Sequence, residues 1–197
     1  MRRLLATLVF LMPMVAWGGA QRYEPLQDAV RQRLSRAVSD KAAPSMHFRS
    51  SSDAQRWLNE MDTRLARRIP DRKQRLELLR TVHYEATRAR LDPQLVLGVI
   101  EVESGFRKYA VSRAGARGYM QVMPFWVRLI GQSNHNLFHL RTNIAYGCAI
   151  LRHYLDMEKG DYFRALGRYN GSLGQPEYPN LVLAAWRGRW KYEGPTA

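Results

Sequence analysis

Helix start and stop signals recur along this chain, and no stretch shows sustained strand alternation or an internal repeat. The clearest set surrounds Asp92-Pro93: an N-cap aspartate, a proline at the first helical position, the run QLVLGVIEVES, and Gly105 to close the helix. Pro25 opens a stretch with Leu26, Val30, Leu34 and Val38 four apart, the pattern of an amphipathic helix with a basic outer face. Ser52 with Gln55 resembles a capping box ahead of Trp57, Leu58, Met61, Leu65 and Ile69, and Pro70 ends that helix. Leu76, Leu79, Val82, Ala86 and Ala89 carry the next one. Further helices are expected from Pro124, over Asn143–Tyr154, from Asp161 through Tyr169, and from Pro179. This pattern predicts an all-α fold. Lys41 to Ser52 is the best linker, so residues 21–70 read as a helical accessory segment, 71–190 as the main domain and 191–197 as a tail.

Cys148 is the only cysteine, which rules out an internal disulfide, a cysteine-built zinc site and an iron–sulfur cluster. A chain of 197 residues without bridges must be held by an ordinary core. Its first 20 residues carry Arg2 and Arg3, an apolar stretch from Leu4 to Trp17, and the small residues Gly18-Gly19-Ala20. That is the make-up of a cleaved signal peptide, and the apolar stretch falls short of the roughly 20 residues that span a bilayer. The mature chain is expected to start near Gln21, to be periplasmic or secreted, and to keep no stable membrane anchor. The formal charge of +14 suggests an anionic partner. In an exported protein without a base-reading motif that partner is not nucleic acid; anionic wall polymers fit better.

One acid stands on an apolar face. Residues three, four and seven apart put Glu103 in line with Val96, Val99 and Ile100, whereas Glu101 lies about 200° around the helix. Burial disfavours the carboxylate, and the negative end of the helix dipole acts the same way, as a general acid at neutral pH requires. From this helix alone, a partly exposed last-turn glutamate, or one half of an ion pair with a nearby arginine, is the favoured reading.

Further along come Glu103-Ser104-Gly105-Phe106, then Ala110-Val111-Ser112, then Gly115-Ala116-Arg117-Gly118-Tyr119-Met120-Gln121-Val122-Met123-Pro124, and finally Ala165 to Gly171 with Tyr169-Asn170. These ordered blocks resemble the lytic transglycosylases of bacterial cell walls, specifically the lysozyme-like domain of the soluble murein transglycosylases, over about residues 90–185. The resemblance implies a lysozyme-like helical domain with Glu103 as catalytic acid and base. It also implies that Ser104, Ser112, Gln121, Met123, Tyr169 and Asn170 bind substrate, with Tyr169 hydrogen-bonding or orienting Glu103. The implied reaction cleaves the bond between N-acetylmuramic acid and N-acetylglucosamine without water, leaving 1,6-anhydro ends; no cofactor is implied. Peptidoglycan strands are the implied partner, with cell-wall or secretion machinery as further candidates. Three positions depart from the family pattern: Tyr119, Arg168 and Gly171-Ser172. The last two are expected to alter the floor of the cleft.

Two other readings of the same blocks stand beside this one: a goose-type lysozyme that hydrolyses the same bond, and a non-enzymatic wall-binding or secretion-associated module. Elsewhere, His135 and His139 would share a helix face as a zinc pair, yet no HExxH pattern or acidic partner accompanies them, and no metal is expected. Cys148 reads as a buried small hydrophobe, and Trp57, Trp126, Trp186 and Trp190 as core residues.

Overall fold

Local capping chemistry sets most helix starts in the computed structural model, which describes residues 21–40, 42 and 44–194. The expected signal peptide therefore lies outside the described residues. The helices are α1 (Asp28–Ser39), α2 (Ser51–Leu65), α3 (Arg72–Arg88), α4 (Pro93–Ser104), α5 (Phe125–Ile130), α6 (Leu140–Met157), α7 (Tyr162–Asn170) and α8 (Glu177–Ala184), the last continued by a π-helical turn, Ala185–Arg189. Asp71, Asp92 and Asp161 each accept from a backbone N–H of the first turn, at 3.1, 2.7 and 3.1 Å. Gly105 and Gly171 end α4 and α7 in the left-handed conformation, with φ of 57° and 81°. Extended pairing among the described residues is confined to the isolated bridges Val111–Arg117 and Arg117–Val122. The all-α expectation is met.

Several boundaries differ from the sequence reading. The cap of α2 is Ser50, whose Oγ accepts from Asp53 N at 3.1 Å; Gln55 reaches forward to Asn59 instead of back to Ser52. That helix stops at Leu65, because Arg68 N and Ile69 N both turn back to the Leu65 carbonyl before Pro70 is reached. Helix α1 starts at Asp28, after Pro25, and α8 starts at Glu177, leaving Pro179 in the first turn, where no N–H is needed.

Helix α4 is buried on almost every side, as its nearly continuous apolar sequence requires. It packs against α3 on one flank and against α8 and the π-helical turn on the other, while α8 contacts α7, α7 contacts α6, and α6 contacts α3. These contacts close a ring around the core. Helices α1 and α2 dock outside it, α1 on α5 and α6 and α2 on α3, and add Leu34, Val38, Trp57, Leu58, Met61 and Leu65 to the same buried cluster. No helix among the described residues is long and apolar enough to cross a membrane.

Candidate active site

Glu103 lies in the last turn of α4 and is 1% exposed, with Val96, Val99 and Ile100 fully buried along the same stripe. Its Oε1 accepts the phenol O–H of Tyr178, from α8, at 2.7 Å. Burial first, and then the nearby Glu103 carboxyl, push the Tyr178 phenol well above its ordinary range, so it remains a donor. The close fit of α8 on α4 makes this contact: a Cβ at Gly98 would stand 3.3 Å from the Val182 carbonyl and the Trp186 amide. Tyr178, Val182 and Ala185 carry the inward face of that stretch, and Pro179 is buried beside them. Their helical spacing marks the inward face in the sequence, and a buried tyrosine needs a partner for its hydroxyl.

Tyr169, expected to hydrogen-bond or orient Glu103, gives its own proton to the loop. Its O–H donates to the Met120 carbonyl at 2.7 Å, because the end of α7 faces the loop before α5 while α8 covers the end of α4. Tyr169 remains an electrostatic neighbour of Glu103, and burial followed by that charge raises its phenol well above the usual value.

In the loop from Phe106 to Pro124, the side chains of Ser112 and Gln121 bond within the loop. Ser112 Oγ accepts from Ala116 N at 3.0 Å, and Gln121 Nε2 donates to the carbonyls of Ala110 and Gly118 at 3.1 and 2.9 Å. Ser104 Oγ donates back to the Ile100 carbonyl at 3.1 Å. These three side chains hold the frame in this structure, and Gln121 adopts a positive φ of 47° to do so. Met123 is half-buried and Asn170 buried at the end of α7. Asn143, which the sequence reading passed over, is the keystone. It accepts from Met120 N at 2.8 Å and donates to the carbonyls of Arg117 and Leu137 at 2.8 Å each. A lone amide on the apolar face of α6 was the signal available for it.

Glu101 ends in the structural ion pair that was the alternative reading for its neighbour. Arg68 and Arg189 pair with it, and Trp190 Nε1 donates to it at 2.6 Å. The Arg168 guanidinium pairs with Glu158 and, at 3.5 Å, with Glu24. The histidines do not share a helix face, because His135 lies in a turn, with Nδ1 2.7 Å from the Tyr146 hydroxyl, and His139 is the N-cap of α6. No group of three or more metal-ligating side chains forms among the described residues. Cys148 is buried, which raises its thiol pKa well above the usual value, and Trp57, Trp126 and Trp190 are core residues, with Trp186 half-buried beside them.

A buried acid at a helix end, a phenol on it, and a glycine-rich loop folded against a second phenol thus come together. The chain belongs to the transglycosylase SLT domain family, whose model matches residues 80–178. It is 35% identical over 115 residues to a transglycosylase of Enterobacteria phage PRD1, across 55% of this chain and 42% of the phage protein. It is 50% identical over 52 residues to membrane-bound lytic murein transglycosylase C of Actinobacillus pleuropneumoniae, across 26% of this chain and 13% of that protein. The chain thus spans less than half the length of either relative. Among solved structures, an inactive mutant of the lytic transglycosylase Slt from Pseudomonas aeruginosa aligns with a TM-score of 0.44 and 24% identity, over 54% of this chain and 20% of that one.

Proposed function

We propose that this protein is a peptidoglycan lytic transglycosylase in which Glu103 acts first as acid and then as base. The observation that carries the reading is the Glu103 carboxyl group, buried on an apolar stripe and held by the Tyr178 hydroxyl at 2.7 Å. The phenol fixes the direction of the carboxyl group that gives up the proton. Glu103 donates its proton to the bridging oxygen as the bond from the N-acetylmuramic anomeric carbon breaks. The substrate's own acetamide steadies the cationic carbon, as in substrate-assisted glycosidases. Glu103, now a carboxylate, takes the proton of the muramic 6-hydroxyl as that oxygen closes the 1,6-anhydro ring. Water is not consumed. A two-carboxylate hydrolase would need a second acid beside the bond, and Glu101 is committed to Arg68, Arg189 and Trp190 instead.

Met123 and Asn170 are assigned to the sugar-binding wall, with Ser104, Ser112 and Gln121 shaping it and Tyr169 bracing it through Met120. Peptidoglycan lies outside the cytoplasm, and the basic surface suits its peptide carboxylates. The location that follows is the periplasm or the cell exterior. The test is digestion of purified walls followed by mass spectrometry. Anhydro-muropeptides are expected from the wild type, and Glu103→Gln should cut turnover by at least about 10² with the fold intact. Products heavier by one water would replace this reading with hydrolysis.

A further inference from the structure

The segment Gln21–Leu26, ahead of α1, reaches into this site although about 100 residues separate it from the loop it touches. The residues Gln121–Met123 form one side of a bridge: Arg117 N donates to Val122 O, and Val122 N donates to Arg117 O, both at 3.0 Å. That pairing uses the inner edge of the strand. Its outer edge presents the Gln121 carbonyl and the Met123 N–H, an acceptor and a donor side by side. The Gln21 side chain closes both. Met123 N donates to Gln21 Oε1 at 3.1 Å, and Gln21 Nε2 donates to the Gln121 carbonyl at 3.4 Å. The same carboxamide lies against the Tyr169 phenol, the electrostatic neighbour of Glu103, and Gln21 is buried at 3% exposure.

An edge that takes a carboxamide by its C=O and N–H takes any amide of that size, and every sugar of peptidoglycan carries an N-acetyl group. We infer that Gln21 is an internal stand-in for a substrate acetamide, and that the segment Gln21–Leu26 blocks the glycan groove until substrate displaces it. The inference rests on the glycan-cleft reading given above.

Residues 22–25 are exposed and held lightly, as a displaceable block must be, while Leu26, half-buried against the core, anchors the segment at its α1 end. Tyr23 is 61% exposed and meets Phe125 edge-on, at 5.9 Å between ring centroids. Glu24 meets Arg168 at 3.5 Å with much of its side chain in solvent, and exposed pairs of this kind contribute little. Arg168 keeps Glu158 as a partner when Glu24 leaves. No regular secondary structure ties the segment down before Asp28. The occupied groove is therefore the state from which substrate must compete, and the apparent affinity falls by the fraction of molecules in which the seat is open.

The test uses the full chain, its Gln21→Ala and Gln21→Glu variants, and the trisaccharide of N-acetylglucosamine as probe. Alanine removes the amide. Glutamate keeps an acceptor for Met123 N–H but sets a second oxygen against the Gln121 carbonyl. Both variants should bind the trisaccharide at least about fivefold more tightly than wild type by calorimetry. In the wild type, saturating trisaccharide should move the Gln21 side-chain amide signals in nitrogen-15 spectra to the positions of free glutamine. Unchanged or weaker binding in the variants overturns the proposal, as do Gln21 signals that do not move, or no binding to any of the three proteins. Wall digestion is read separately: inactive wild type with intact competition at Gln21 would remove the catalytic reading and leave this one standing.

Discussion

Tyr178 holds Glu103: its hydroxyl sits 2.7 Å from Oε1, while Tyr169, the phenol of the Tyr-Asn block, donates to Met120 O at the same distance. The two tyrosines therefore fail in different ways. Tyr178→Phe keeps the buried ring and deletes the donor to the acid, so turnover of purified walls should fall about 10- to 100-fold with a stability change near 1 kcal/mol. Tyr169→Phe leaves a loop carbonyl without its donor. It should cost about 1–2 kcal/mol in thermal or denaturant melts and lower turnover less than Tyr178→Phe does. Equal loss of activity in both, at equal stability, would return Tyr169 to the role of orienting Glu103.

The two glutamates of α4 separate structure from chemistry in the same manner. Glu101→Ala strips the buried Trp190 indole N–H of its acceptor and releases Arg68 and Arg189, both partly in solvent. A buried donor left unpaired costs about 1–3 kcal/mol. The expected outcome is a lower melting temperature with residual wall cleavage by the folded fraction. Glu103→Gln should show the reverse, an almost unchanged melt and lost turnover. Circular dichroism melts beside a digestion assay decide between the two patterns.

The loop before α5 offers a third prediction. Gly118 adopts φ +77°, and a Cβ there would stand 2.6 Å from the Leu137 carbonyl and overlap the Asn143 amide. Gly118→Ala should therefore push Asn143 away from Met120 N, Arg117 O and Leu137 O together. Asn143→Ala deletes the same three bonds from the other side. Each is expected to cost about 2–4 kcal/mol and to reduce turnover, although neither residue touches Glu103. Because the two disrupt one network, the double variant should cost clearly less than the sum of the singles, which denaturant melts of all four proteins would measure.

What the sequence made legible were features decided within a few residues. Asp92, Pro93 and Gly105 bound α4 because capping is chemistry between neighbours, and the apolar face that buries Glu103 follows from helical spacing alone. Ser52 fits the capping pattern of α2 as well as Ser50 does, because three consecutive serines are chemically equivalent there, and the approach of the chain selects Ser50. The partner of Glu103 was out of reach for a stronger reason. It depends on Gly98 letting α8 lie close on α4, a contact across 75 residues, and the Gln21 contacts span 100 and 102. Spacing within one helix carries no information about which of two buried phenols meets the acid.

His83 gives a prediction about pH. It is stacked on Phe48 at 4.4 Å, set edge-on to Trp57, and buried. Burial, with a smaller push from His47, lowers its pKa from 6.5 to about 4. A histidine whose folded value is depressed binds its proton more weakly in the native state than in the unfolded one. Its neutral form is fully accommodated above pH 6.5, and stability drains away as pH falls from there to about 4. A shift of that size corresponds to about 3 kcal/mol across the window. The native carboxylates of Asp40, Asp62 and Glu158 are held below their usual range by hydrogen bonds from Tyr84, Arg75 and Arg168, and they add losses at the acid end of the same titration. His83→Phe keeps the aromatic packing and removes the proton. Denaturant melts between pH 7 and pH 4 should therefore show a shallower decline in the variant, by up to about 3 kcal/mol at the acid end, while parallel curves would mean that His83 already titrates normally in the folded chain.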